Sequence, residues 1–177
     1  MIEELIASGF PAEVTVVIIS ALPVVELRGA VLVGINLFHL PWYQTLGLTI
    51  IGNLLPVPFL LLFFESLAKA ISRTETGKRL VDWVLKRTRR HTELIEKYEP
   101  IGLMLFVAIP LPGTGAWTGS VAAFLLGLKF TRAVLSIAAG VVIAGAIVTA
   151  LSVLGWVGAV IAGIGLFGLA IAGLWKV

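Results

Sequence analysis

Two ionisable residues stand one residue apart inside a mainly apolar run: Glu26 and Arg28, in ALPVVELRGAVLVGINLF (21–38). A carboxylate can take up a proton. A guanidinium offers a planar fork of donors that matches a carboxylate or a phosphate. On insertion scales a charged side chain at mid-bilayer costs roughly 2.5–3.5 kcal/mol. Two of them persist there only if they pair, line a wet cavity or bind something. Two readings stay open: a mutual structural ion pair, and a site for a substrate or a proton. Pro23 and Gly29 flank the pair, which predicts a broken helix at that depth.

A second run, IPLPGTGAWTGS (109–120), bears no charge but concentrates backbone chemistry. Pro110 and Pro112 exclude a straight helix. Gly113, Gly115 and Gly119 free backbone amides, and Thr114 and Thr118 add hydroxyls. Such a tip at a half-helix N-terminus can cradle an anion, with Arg28 supplying the full positive charge. Glu26 would then neutralise Arg28 when the site is empty and couple occupancy to protonation. The alternative is that these glycines serve tight turning and packing. Trp117 reads as an apolar packer rather than a platform for a headgroup. Asn53, in the following span, reads as a polar lining residue or an interhelical hydrogen-bonding one.

Enzymatic chemistry finds no support. The P-G-T-G string lacks the GK[ST] ending of a phosphate-binding P-loop, and there is no HExxH. No Ser/His/Asp set or second acid near Glu26 is evident. The absence of cysteine excludes disulfides and thiolate metal sites. His91 has no second His or paired carboxylates on its helix face and reads as a surface residue. No cofactor and no metal are expected.

The elements that must hold these groups follow from composition and charge. Hydrophobic residues make up 59% of 177, charged residues 13%, and mean hydropathy is +1.06, values of an all-α integral membrane protein. The length leaves room for about five or six passes and no separate soluble domain. The opening MIEELIASGF is acidic, unlike a signal peptide. Nine of the thirteen Lys and Arg residues fall between Lys69 and Lys97, which places the connector 66–98 in the cytoplasm. Leu80, Val84 and Leu85 recur at helical spacing ahead of Lys86, Arg87, Arg89 and Arg90. That pattern fits an amphipathic helix on the anionic inner leaflet, or a solvated connector. The basic pI reflects this cluster and gives no support to nucleic-acid binding.

Residues 42–64 carry no charge and open with Trp42 and Tyr43, a transmembrane span that Pro56 and Pro58 should bend. Further spans are expected at 133–154 and 156–175. Gly140 and Ala144, then Gly155, Ala159 and Gly163, give them small-residue faces for close packing, which leaves a homodimer open. Residues 100–128 lie between basic flanks, the connector before and Lys129 and Arg132 after. A segment that dips to mid-depth and returns keeps both flanks inside, so this reads as a re-entrant hairpin. Residues 14–40 have acidic or neutral flanks on both sides and read as a second hairpin, entering from outside. Broken backbone at such depth needs protein or a wet cavity around it.

The two hairpins align: ALPVVELRGA (21–30) with AIPLPGTGAW (108–117), at an offset of 87. Each precedes a full span, and they enter from opposite sides. The expected fold is therefore an inverted-topology repeat of re-entrant hairpin plus transmembrane helix, with an extra C-terminal transmembrane helix. On PxxELRGA (23–30) and PLPGTGAWTG (110–119) the chain resembles the small multi-drug export protein family over nearly its whole length. That family is similar in turn to the DedA superfamily of VTT-domain membrane proteins. The resemblance implies opposed hairpins meeting at the midplane and the movement of lipid or polyprenyl phosphates, or proton-coupled transport. Membrane lipids and protons would be the partners. The sequence departs from DedA proper in lacking the arginine-bearing RFxPxxR-type motif of its second hairpin. Proton-coupled export of small drugs and a non-transporting membrane scaffold are the alternatives.

Overall fold

The computed structural model describes residues 9–74, 79, 92–111 and 113–155, and beyond them positions 157, 160, 163, 164 and 168. The described residues form helices and no strands. The first apolar stretch makes α1 (Ala12–Ala21) and α2 (Glu26–Leu32), which runs on through a π-helical turn (Val33–Leu37). Next come α3 (Trp42–Leu54) and α4 (Pro56–Ile71), separated by Leu55 alone. After these come α5 (Thr92–Ala108), a break, α6 (Ala116–Leu126) and α7 (Phe130–Val153).

Prolines and glycines set most of the boundaries. Pro23 forces Leu22 into an extended conformation (φ −73°, ψ 140°), and α1 stops there. Pro41 is the extended residue before α3, and Pro56 opens α4 because it has no N–H to continue α3. Gly127 ends α6 in the left-handed conformation (φ 71°), and Leu128 N–H closes the turn onto the Ala123 carbonyl at 3.0 Å.

Several expected boundaries move. The first break spans Leu22–Val25 and leaves Gly29 inside α2, because Pro23 alone suffices to end a helix. The helix after Trp42 passes the expected end at 64 and reaches Ile71, since exposed charges such as Glu65 do not stop a helix. α5 begins at Thr92 and contains Pro100 rather than starting there. The amphipathic stretch with Leu80, Val84 and His91, and the whole helix expected at 156–175, lie outside the described residues except for isolated positions. Among the described residues, two helical runs are long and apolar enough to cross a membrane by length and composition: Trp42–Ala68, with 27 residues, and Phe130–Val153, with 24.

α1 lies on α3 and α5 on α7, while α2 packs on α1, α3 and α7, and α6 mainly on α4. Close approach relies on small residues. A methyl added at Gly140 would lie 2.7 Å from the Met104 carbonyl of α5. One added at Gly145 would lie 2.9 Å from Leu46 of α3 and 3.2 Å from Leu27 of α2. Gly155 and Gly163, expected in a packing seam, instead have open space around them among the described residues. Leu27, Val57, Leu103, Val107, Ile137 and Val141 fill the centre. Large apolar side chains such as Phe59, Phe63 and Leu135 face outward, the surface that suits contact with lipid.

Candidate functional site

Any break in a buried helix exposes carbonyls on one side and amides on the other, and these must find partners. In the second break, over 109–115, the side chains of α2 supply them. Arg28 Nη2 donates to the Ile109 carbonyl at 3.3 Å, to the Thr114 hydroxyl at 3.1 Å and to the Thr114 carbonyl. The guanidinium thus sits where a helix C-terminus gathers negative charge. On the other side of the break, Trp117 N–H at the start of α6 donates to Glu26 Oε1 at 3.4 Å. A carboxylate there meets the positive end of the helix. The pair closes on itself, with Arg28 Nη1 3.1 Å from Glu26 Oε2.

The reverse contact also exists. The Trp117 indole N–H donates at 3.1 Å to the carbonyl of Ala21, the last residue of α1. Each break is therefore satisfied in part by side chains from the other half of the chain. Glu26 is also one of only two non-glycine residues with positive φ among those described, at 50°. That conformation costs about 1–2 kcal/mol, and it is held by the bond from Glu26 N–H to the Leu22 carbonyl at 3.0 Å.

Gly115 is the contact point of the two halves. A methyl added there would overlap the Glu26 carboxylate, so only glycine lets the two approach. Its N–H donates to Thr118 Oγ1 at 2.9 Å, which caps α6 locally. The Thr114 hydroxyl lies 2.6 Å from the Ile109 carbonyl and 2.9 Å from that of Leu111, folding the break onto itself. The tip expected to cradle a foreign anion already holds the carboxylate of Glu26.

A small cavity adjoins this contact, lined by Glu26, Arg28, Asn53, Gly115, Val107 and Val141 among others. Glu26 is 6% exposed and Asn53 3%. The structure thus gathers Glu26, Arg28, Asn53, Gly115, Thr114 and Trp117, with Thr118 one turn away. Pro23 and Gly113 are exposed and Pro110 half-buried; they shape the breaks. Gly113 has a φ of 84° and nothing near it among the described residues. Gly29 lies inside α2 with the Val25 side chain of the first break against it, and Pro112 lies outside the described residues. The carbonyls of Ala21 and Ile109 and the apolar lining were not legible in sequence. The four-residue spacing of Thr45, Thr49 and Asn53 is a signal that marks an inward polar face on α3.

No curated protein and no solved structure matches the chain. A family model described as "Putative small multi-drug export protein" matches residues 26–147, from Glu26 through most of α7, and so contains Glu26, Arg28, Asn53 and the whole second break. With that match extending over more than half of its length, the chain belongs to the small multi-drug export protein family and is a helical membrane protein.

Proposed function

We propose that this protein transports an amphiphilic anion together with a proton, using Glu26 and Arg28 as the exchange point between the two breaks. One observation carries the reading. The Glu26 carboxylate is a built-in anion held between a guanidinium and a helix N-terminus, and the headgroup of a lipid phosphate or polyprenyl phosphate can compete for the same donors. Protonation of Glu26 removes its claim on both, and a singly charged headgroup then takes its place. Net charge at the site stays at zero in both states, which avoids placing an unpaired charge at mid-membrane.

In the same reading the two broken segments are re-entrant hairpins entering from opposite faces, with the N-terminus outside and the connector 66–98 cytoplasmic. The shared element order of the halves and their crossed packing support it, as do the basic flanks of 100–128. A cysteine at Thr131 should then react with an impermeant thiol reagent only from the cytoplasmic side. Labelling from outside would overturn the hairpin.

A second reading comes from the family description, export of small drugs. A cationic drug would exchange with the proton of Glu26, and transport would run against the proton gradient. Arg28, 3.1 Å from the same carboxylate, opposes it by like charge.

The two readings differ in sign. In proteoliposomes a pH gradient should drive a fluorescent anionic phospholipid in the same direction as the proton, and Glu26→Gln should abolish that dependence. Arg28→Lys should also lose much of the flux, because a point charge does not replace a planar fork. Gradient-driven movement of a cationic dye against the proton, with the anionic lipid inert, would replace the first reading by the second. Inertness towards both would leave the pair structural.

A further inference from the structure

The described part of α3 is polar on its inner face at one-turn intervals. Thr45, Thr49 and Asn53 are buried, and Gly52 is the other buried residue of the helix. At the outer end of the row, Gln44 Nε2 donates to Glu13 Oε1 at 3.4 Å. One turn before Asn53, Ser20 of α1 donates to the Thr49 carbonyl at 2.6 Å. Beyond Asn53 the pattern stops: PVPFLLLFF (56–64) offers no polar side chain before Glu65.

Thr45 faces Gly34 of the π-helical turn, and α7 contributes polar groups of its own. It runs antiparallel to α3, because Gly145 meets Leu46 and Ile50 whereas Val141, one turn earlier, borders the cavity with Asn53. Thr149 and Ser152 follow Gly145 on that face and therefore lie toward the start of α3. Thr45 Oγ1, Thr149 Oγ1, Ser152 Oγ, Asn53 Oδ1 and Arg28 Nε are buried without a hydrogen-bond partner among the described residues. Buried polar atoms are ordinarily satisfied, by ordered water where protein does not reach. The cavity beside Glu26, Arg28 and Asn53 has room for about one water.

We propose that a water-bridged seam between α3 and α7 carries protons to Glu26, with Asn53 as its last protein group, and that it opens only toward the amino-terminal end of α3. It rests on the reading of Glu26 as the group that takes up a proton. Hydroxyls one turn apart are about 6 Å from each other, a gap that a single water bridges. The groups facing Glu26 from each element permit this. α2 presents Arg28, α3 Asn53, α5 Val107, α6 Gly115 and α7 Val141 and Ala144, so Arg28 is the ionisable neighbour among these residues. Access from one side is what a coupled carrier requires in any one conformation, because access from both would leak protons.

The test is a pH jump on proteoliposomes whose orientation is assigned by labelling Gln44→Cys with an impermeant reagent. Protonation of Glu26 is followed by infrared absorption of its carboxylic acid carbonyl, assigned by its loss in Glu26→Gln. Acidification on the Trp42 side should produce the band rapidly in the wild type. The double variant Thr45→Val, Thr149→Val should slow its appearance by about tenfold or more and leave its final amplitude unchanged. Removing hydroxyls that have no protein partner is nearly neutral for stability, so melting should not shift. If the double variant does not fold, Thr149→Val with Ser152→Ala replaces it in the same comparison. An unchanged rate, or an equally fast response to acid on the opposite side, overturns the seam while Glu26 remains the proton acceptor. No band in the wild type overturns the seam and the coupling role of Glu26 together.

Discussion

The two helix breaks solve one problem by different means. The first is four residues long, Leu22–Val25, and is followed at once by two charged side chains. The second, over 109–115, is longer, carries no charge and is rich in glycine and threonine. The charged break serves the uncharged one: Arg28 takes the carbonyls and Glu26 takes the amide. In return the second half sends back one neutral donor, the Trp117 indole. What reads in sequence as a pair of opposite charges is also a double cap on a distant helix break. A pair that made only a salt bridge could be replaced by apolar groups; a pair that also holds backbone groups cannot be removed so simply.

That difference can be tested most severely at Arg28. Arg28→Ala strips partners from the Glu26 carboxylate and from the carbonyls of Ile109 and Thr114, and should destabilise the protein by about 3–5 kcal/mol, read as a lower melting temperature in detergent. The double variant Glu26→Gln, Arg28→Met should recover only part of this, because methionine donates nothing to the second break. Full recovery would mean that the pair is a salt bridge and no more. Gly115→Ala comes next, as its methyl overlaps the Glu26 carboxylate. Overpacking of that kind costs about 1–3 kcal/mol, whereas Gly113→Ala meets open space and should show only the smaller cost of its positive φ. Trp117→Phe keeps the ring but removes the bond to Ala21, a loss of about 1 kcal/mol by melting. Thr118→Ala removes the local cap on Gly115 N–H and should cost about 0.5–1 kcal/mol, the smallest effect of the set. If Trp117→Phe exceeded Arg28→Ala, the dependence of the two halves would run opposite to the one described.

Much of this was legible in the sequence for physical reasons. Glu26 and Arg28 stand out because charge is costly in an apolar run, and 109–120 because it crowds two prolines and three glycines together. The crossed pattern of caps was not legible. Glu26 and Trp117 are 91 residues apart, and nothing local in ELRGA tells a carboxylate that its partner is a backbone amide. The left-handed backbone at Glu26 was equally hidden, since glutamate does not favour it. The π-helical turn at Val33–Leu37 has no composition of its own. Gly29 misled in the opposite way: a glycine beside a proline resembles part of a break, but it lies within α2.

The contact from Trp117 to Ala21 and the contacts from Glu26 and Arg28 across the breaks also bear on how the chain is made. Synthesis proceeds from the N-terminus, so α1 and α2 leave the ribosome about ninety residues before Trp117. Throughout that interval the Ala21 carbonyl lacks its indole donor, and the carboxylate and guanidinium have each other but not the backbone groups of the second break. The first half is thus incomplete until the second half arrives. A ribosome stalled before residue 117 would present quality-control proteases with an exposed acid and base in an otherwise greasy segment.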